Sequence, residues 1–148
     1  NMINKSKITK VKLKRDLTKK INQGNPWIFD DALAEIPNVE PGTIAKLVDK
    51  KNKVVAFGYI YPESQLAFRV LCIKDKVPTS DMVKERIETA YKIRKAFISK
   101  ETNSFRLLNG EGDQLPGLVI DIFNKTAVLQ LDGPGPQGFY NKEEIVLL

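Results

Sequence analysis

The fold is decided by three consecutive runs of the sequence, TIAKLVD (43–49), VVAFGYIY (54–61) and LAFRVLCI (66–73). Each run is rich in β-branched and aromatic residues, a composition that favours strands. The breaks between the runs, at 50–53 and 62–64, are short, and the second begins with a proline. Short breaks of this kind join neighbouring strands, so the stretch predicts an antiparallel meander or a small barrel.

Beyond residue 79 the spacing of the apolar residues changes from two to three or four. The residues at this helical spacing are Val83, Ile87, Ala90, Ile93 and Phe97. Ser80 offers an N-cap oxygen, and Asp81 lies near the positive end of a helix that starts there. The pattern predicts a helix of about five turns. Three further β candidates, 104–108, 118–123 and 126–131, complete a second, small α+β unit.

The net charge of +6 is concentrated at the N-terminus of the chain. The first 20 residues hold eight lysines and arginines against one aspartate, a charge of +7, and the remaining residues carry −1. A concentrated cationic stripe attracts polyanions, and nucleic acid is the expected polyanion for a protein without membrane features. A solvated, partly disordered tail is the alternative that charge alone leaves open.

The basic segment also contains an apolar pattern. Val11 and Leu13 are two residues apart, which predicts a strand with one buried face. The residues beside them are three lysines, Lys10, Lys12 and Lys14. On the outer face of such a strand these lysines can contact phosphates without reading base sequence. Leu17 and Ile21, four residues apart, predict a short helical turn that ends at Gly24.

Residue types that many enzymes need are missing. The chain contains no histidine, which removes the commonest general base, the commonest zinc ligand and every histidine-dependent triad. Its single cysteine, Cys72, excludes an internal disulfide and a cysteine-cluster metal site, and its apolar neighbours predict a buried, inert thiol. No run of about 18 apolar residues and no signal peptide is present, so a soluble, cytoplasmic protein without a metal or membrane contact is expected.

Three motifs that suggest chemistry have simpler interpretations. GPGPQG (133–138) matches a dinucleotide-binding pattern, but few residues follow it and its prolines remove phosphate-facing N–H groups, so a linker is predicted. Glu111 and Asp113 lie beside glycines and are interpreted as turn residues. Trp27, next to two apolar residues, is interpreted as a core residue, with stacking on an RNA base as the alternative.

Several motifs are similar to one family. GNPWIF (24–29) resembles the Gly-His-Pro-Trp-(Ile/Val)-Phe signature that opens the PUA-like domain of bacterial large-subunit rRNA cytosine-C5 methyltransferases, with Asn25 at the usual histidine position. GYIYPES (58–64) and FRVL (68–71) resemble the barrel strands of that family. FRLLNGEGDQLPGLVID (105–121) is similar to the family's second, strand-helix-strand domain and is the most specific match.

The resemblance implies a mostly β protein with an α+β part. It places a PUA-like pseudo-barrel at 1–76, a small α+β domain at 77–136, and at 137–148 the start of a truncated helix that leads to a missing domain. That third domain of the family binds S-adenosylmethionine and carries the nucleophilic cysteine, so this chain is expected to hold no cofactor and to catalyse nothing alone. Its implied role is to bind RNA, in particular large-subunit rRNA, and to position it for methylation.

The expected RNA contacts combine the basic segment with the signature loop. Phosphate contact is assigned to Lys12, Lys14, Arg15, Lys19 and Lys20. Gly24, Asn25 and Trp27 are expected nearest the RNA. Arg106 and Asp113 bracket the most specific motif, and they are expected to form an ion pair that holds its loop for the missing domain.

Two other functions stay open at this stage. A non-enzymatic oligomerisation or docking module, including a homodimer, would use Trp27 and Phe29 at an interface and the lysines for solubility. The front end of a tRNA-modifying enzyme would share the PUA-like domain, because such domains are reused. RNA titration with a sedimentation run separates the first from RNA binding, and the sequence that follows residue 148 decides the second.

Overall fold

The computed structural model describes residues 1–147. Its strands are β1 (Thr9–Lys12), β2 (Trp27–Phe29), β3 (Thr43–Val48), β4 (Val54–Ile60), β5 (Leu66–Ile73), β6 (Ser104–Asn109), β7 (Leu118–Phe123) and β8 (Thr126–Leu131). Its α-helices are α1 (Thr18–Asn22), α2 (Ser80–Lys95), α3 (Pro134–Phe139) and α4 (Lys142–Ile145), and 3₁₀ turns occupy Asp30–Ala32 and Gly110–Asp113. No helix among the described residues is long and apolar enough to cross a membrane.

Five strands form the first sheet, in the order β1-β3-β4-β5-β2. The predicted antiparallel meander of β3, β4 and β5 is confirmed, and β1 is added parallel to β3. The sheet does not close fully into a barrel, because β1 and β2 remain its two edges, and the predicted mostly β fold with a small α+β part is confirmed. An isolated bridge between Leu13 and Leu33 brings the chain after β1 against the chain after β2 and curls the sheet toward a barrel.

The basic segment is an ordered part of this sheet. Val11 and Leu13 are each 1% exposed, whereas Lys10 and Lys14 are exposed and Lys12 is half-buried. Burying one such aliphatic side chain contributes about 1.5–3 kcal/mol. The predicted strand is therefore confirmed, and the alternative of a disordered tail is wrong for this stretch.

The second unit consists of α2 and the antiparallel strands β6-β7-β8, as the sequence predicts. The buried residues of α2 are Met82, Val83, Ile87 and Ala90. The helix ends before Phe97, which is 86% exposed, so the apolar face is shorter than its pattern indicates. The predicted N-cap is wrong by one residue, because the side chain of Thr79 accepts the hydrogen bond from the Met82 N–H.

One hydrophobic core lies between the two sheets. It contains residues from both sides of the domain boundary that the sequence predicts at residue 76. Tyr59 of β4 shares it with residues of α2, β7, α3 and the chain after α3, and its ring stacks on Phe139 with centroids 5.0 Å apart. The hydroxyls of Tyr59 and Tyr140 both donate to the Pro116 carbonyl, at 2.7 and 2.9 Å. Burial raises the pKa of both phenols, so they stay protonated and keep donating.

The predicted linker at 133–138 is wrong, because most of it forms α3. Pro134 stands in the first turn of this helix, where its missing N–H costs nothing. Gly138 allows the helix to lie directly against the turn before β3, since a Cβ on Gly138 would clash with the carbonyl oxygen of Pro41. The proline–glycine composition therefore serves close packing.

The C-terminal helix starts where the sequence predicts it. The Asn141 side chain accepts a hydrogen bond from the Glu144 N–H at 3.2 Å and caps α4. Ile145 is 3% exposed and belongs to the shared core, so this helix buries its first apolar residue within the chain. Leu148, the last residue of the predicted truncated helix, lies outside the described residues.

Candidate nucleic-acid interface

The loop between α1 and β2 forms an exposed ridge beside the basic segment. Gly24 ends α1 with a φ of +97°, and the Asn25 side chain accepts a hydrogen bond from the Trp27 N–H at 3.2 Å. Ile28 then faces the core at 2% exposure, whereas Trp27 and its neighbour Phe29 are 45% and 48% exposed. The interpretation of Trp27 as a core residue is therefore wrong, because the alternation of β2 turns only Ile28 inward.

A small pocket next to this ridge brings predicted RNA contacts together. Its volume is about 160 Å³, and we call it the Trp27 pocket. Its polar and aromatic lining residues are Arg15, Lys20, Asn25, Trp27 and Phe29. An exposed indole offers a face on which a base can stack, and the two cations can hold the adjoining phosphates.

The other predicted phosphate contacts come from the same stretch of chain as the lining residues Arg15 and Lys20. Lys14 and Lys19 are exposed and Lys12 is half-buried, and none of the three lines the pocket. Arg15 lies 3.6 Å from Asp31, but both side chains are more than half exposed, so this ion pair contributes little and leaves the guanidinium available. Lys12, Lys14, Arg15, Lys19 and Lys20 thus all belong to the segment from the end of β1 to α1, and we call this set the cationic surface of β1 and α1.

The indole of Trp27 contacts Glu111, a residue for which the sequence predicts only a role in a turn. Its Nε1 donates to Glu111 Oε1 at 3.3 Å, and Arg69 Nη1 lies 3.5 Å from the same oxygen. Arg69 Nη2 lies 3.3 Å from Asp132. Arg69 is only 13% exposed, so this arginine of the first sheet joins two carboxylates of the second unit from a largely buried position.

This contact was missed because Trp27 and Glu111 are 84 residues apart in the chain. The sequence nevertheless indicates that Arg69 has a distant partner. Arg69 is the only charged residue in the apolar run 66–73, and a charge in a buried strand needs a partner from elsewhere in the fold. That rule predicts a distant carboxylate without identifying it.

The predicted ion pair of Arg106 with Asp113 is wrong, because each residue has a different partner. Arg106 stands directly opposite Asp121 in the β6–β7 register and donates to it at 2.8 and 3.2 Å. These hydrogen bonds lower the pKa of the Asp121 carboxyl. The Asp113 carboxylate instead accepts hydrogen bonds from both terminal nitrogens of Arg94, at 2.9 and 2.8 Å.

The Arg94–Asp113 pair fixes the 3₁₀ turn that carries Glu111. The side chain of Asp113 is 9% exposed and also accepts from the Asn109 N–H at 2.6 Å, while Arg94 reaches it from the end of α2. The charge pair at this loop is therefore formed by Asp113 with Arg94, and not with Arg106 as predicted. A helix residue could not be chosen from spacing alone, because α2 and the turn are separated by β6.

Replacing Asp113 by asparagine should lower the free energy of unfolding by about 2 kcal/mol. The change leaves the half-buried Arg94 guanidinium without its countercharge. Urea denaturation measures the loss, and Asp121→Asn is the matched control, with a smaller expected effect because Arg106 is half exposed. Equal losses in both variants would contradict the structural role given to Asp113.

No metal site is formed within residues 1–147, since no group of three or more carboxylate or thiol side chains is placed to hold an ion. The buried thiol predicted for Cys72 is confirmed at 3% exposure. Burial raises the pKa of this thiol, against the nearby positive charges of Arg86 and Lys76. A buried, protonated thiol is a poor nucleophile.

Comparisons with known proteins identify a domain type and relatives of this chain. Residues 11–72 match the PUA-like domain family. A ribosomal RNA large subunit methyltransferase I from Tolumonas auensis is 32% identical over 141 residues, which cover 93% of this chain and 35% of that protein. Its counterpart from Escherichia coli is 35% identical over 123 residues, covering 80% of this chain and 31% of that protein.

A solved structure shows the same fold. It is a protein from Streptococcus mutans provisionally described as a SAM-dependent methyltransferase, with a TM-score of 0.78 and 18% identity over 94% of this chain and 36% of that one. The chain thus spans about a third of the length of the curated relatives it matches. It contains a PUA-like domain and is homologous over most of its length to large-subunit rRNA methyltransferases, which confirms the predicted resemblance at that level.

Proposed function

We propose that this chain is the RNA-binding and substrate-positioning region of a SAM-dependent rRNA methyltransferase. The observation that carries the proposal is the cationic surface of β1 and α1, which lies beside the exposed Trp27 inside a matched PUA-like domain. Cations next to an exposed aromatic ring are what single-stranded RNA requires, because phosphates and base faces are contacted together. The homology to large-subunit rRNA methyltransferases supports rRNA as the substrate.

In this proposal, catalysis is assigned to another part of the whole protein. One related methyltransferase structure was solved in complex with SAH, which supports S-adenosylmethionine as the methyl donor of the whole enzyme. Within this chain, GPGPQG packs as a helix, with Gly135 against Tyr59 and Tyr61, and Cys72 is buried. The family resemblance assigns the cofactor and the nucleophilic cysteine to another part of the whole enzyme, and cytosine C5 is the proposed methylation site.

Contacts between the ridge and the second unit support the proposed role in substrate positioning. Methylation of a base inside a duplex requires the base to be exposed, and a fixed contact surface keeps the flanking RNA in place meanwhile. The ridge at Trp27 is tied by Glu111 and Arg69 to the second unit. RNA bound at the ridge would then contact a surface that is connected to both units.

The proposal is tested by competition for a labelled fragment of large-subunit rRNA, measured by fluorescence anisotropy. Unlabelled rRNA fragments should displace the label at lower concentration than tRNA or duplex DNA carrying the same number of phosphates. Failure to bind the rRNA fragment at low salt would reject the proposal. Equal displacement by duplex DNA would show that the surface binds any polyanion without specificity. Stronger displacement by tRNA would favour a tRNA-modifying enzyme.

A further inference from the structure

A larger cleft lies on the other side of the ridge, between the two units. Its volume is about 470 Å³, within the range of small-molecule sites. One wall is the loop at Asn22, Gly24 and Asn25, the floor is the strand that contains Cys72, and the opposite wall comes from α2 and the turn at 111–116. We call this space the interunit cleft.

Two cations line the interunit cleft without a carboxylate partner of their own. Arg86 donates to the Gln114 carbonyl at 2.6 Å, and its Nη2 lies 4.0 Å from Cys72 Sγ. No carboxylate within residues 1–147 forms an ion pair with Arg86 or with Lys76, the second lining cation. The cleft therefore presents two cations, of which Arg86 is held in place by its hydrogen bond to Gln114 and neither is paired with a carboxylate.

The rest of the lining suits a planar heterocycle. Val70, Leu71 and Pro116 provide apolar surface, and the side-chain amides of Asn22, Asn25 and Gln114 provide donors and acceptors. Gln114 has a φ of +62°, a left-handed conformation that a non-glycine residue adopts only where its surroundings hold it. Glu111 also lines the cleft, but its Oε1 is already engaged by Trp27 and Arg69.

We propose that the interunit cleft binds one nucleotide of the bound RNA, with its phosphate on Arg86 and Lys76 and its base against the apolar floor. The inference rests on the proposed function, because the occupant is taken from the RNA that the cationic surface attracts. Continuity supports this choice, since Asn25 borders both the cleft and the Trp27 pocket. An RNA strand that crosses the ridge at Asn25 thus has a nucleotide site on each side.

The test uses the complete chain with cytidine 5′-monophosphate, and with cytidine and ribose 5-phosphate as probes that lack the phosphate or the base. Amide chemical shifts report the site, and a 12-nucleotide single-stranded RNA reports polymer binding. The nucleotide should shift the amides of Asn25, Gly112 and Gln114, and each incomplete probe should shift them less. Arg86→Gln should weaken both nucleotide and RNA binding about tenfold, because a charge-assisted contact is lost.

Lys84→Gln is the matched control, because Lys84 is an exposed cation of the same helix that does not line the cleft. It should leave nucleotide binding unchanged. Lys76→Gln provides a second variant outside α2, so a folding defect in Arg86→Gln does not decide the outcome.

The outcomes separate this inference from the proposed function. RNA binding that survives both Arg86→Gln and Lys76→Gln, without nucleotide-induced shifts in the cleft, would overturn the cleft site and leave the RNA-binding function standing. Nucleotide binding in the cleft of a chain that binds no RNA would overturn the inference as stated and would indicate a free nucleotide as the ligand.

Discussion

Simultaneous replacement of Lys14, Arg15, Lys19 and Lys20 by glutamine should lower the affinity for single-stranded RNA roughly 100- to 1000-fold at 0.1 M salt. Each phosphate contact with a single strand contributes about 0.7 to the log–log dependence of affinity on salt. Four lost contacts therefore remove nearly three powers of ten between 1 M and 0.1 M salt, if the affinity at 1 M is unchanged. Fluorescence anisotropy with a labelled 12-nucleotide RNA measures the loss.

The control removes the same charge from the second unit. Lys84, Lys92, Lys95 and Lys125 are all exposed, and their replacement by glutamine changes the net charge equally. Only a small reduction is expected, because none of these four lysines lines the Trp27 pocket or the interunit cleft, and exposed charges without a direct phosphate contact are screened by salt. An equal reduction in both variants would show that overall charge, rather than the surface of β1 and α1, determines binding.

Gly138→Ala should lower the free energy of unfolding by about 3 kcal/mol. The new Cβ would be placed against the backbone of Pro41 and Gly42, and backbone cannot rotate away as a side chain can. Relief of the clash moves α3 from the turn before β3, which opens the shared core at Phe139 and Tyr140. Urea denaturation followed by far-UV circular dichroism measures the loss.

Gly112→Ala is the matched comparison for this stability prediction. A Cβ on Gly112 would meet only the Asn109 side chain, at the ordinary contact distance of 3.7 Å. Its free energy of unfolding should change by less than about 1 kcal/mol. A Gly138→Ala protein as stable as Gly112→Ala would contradict the tight packing of α3 on the first sheet.

Local periodicity predicted the regular elements well. The alternation at Val11 and Leu13, the meander at 43–73 and the helical spacing from Val83 to Ala90 are all signals that a few neighbouring residues contain. Such patterns are reliable because one face of each element is buried, and burial selects residue type at every second or every third to fourth position.

Contacts between distant segments were not predictable in the same way. The parallel pairing of β1 with β3, the packing of α3 and the partner of Trp27 depend on residues far apart in the chain. The partner of Arg106 depends on the β6–β7 register, which shifts between Arg106 and Leu108 and places Asp121 opposite it. Bulges of this kind have no signature in a single sequence.

The predicted RNA contacts illustrate the same limit. Arg15 and Lys20 were predicted from charge, and Asn25 and Trp27 were predicted from the signature loop. All four residues line one pocket. The interunit cleft was missed entirely, because Arg86 belongs to a helix whose sequence shows only amphipathic spacing. Its direction toward Gln114 follows from how α2 packs against the turn between β6 and β7 within the second unit.

The most direct test of RNA binding by this surface is the salt dependence of affinity for the unmodified chain between 50 and 200 mM. About five phosphate contacts predict a log–log slope of roughly −3.5 for a single-stranded RNA. The slope should become shallower by roughly 2.8 in the variant without Lys14, Arg15, Lys19 and Lys20, because four phosphate contacts are lost. A flat affinity in the unmodified chain, or an unchanged slope in the variant, would contradict the assignment of the cationic surface as the RNA interface.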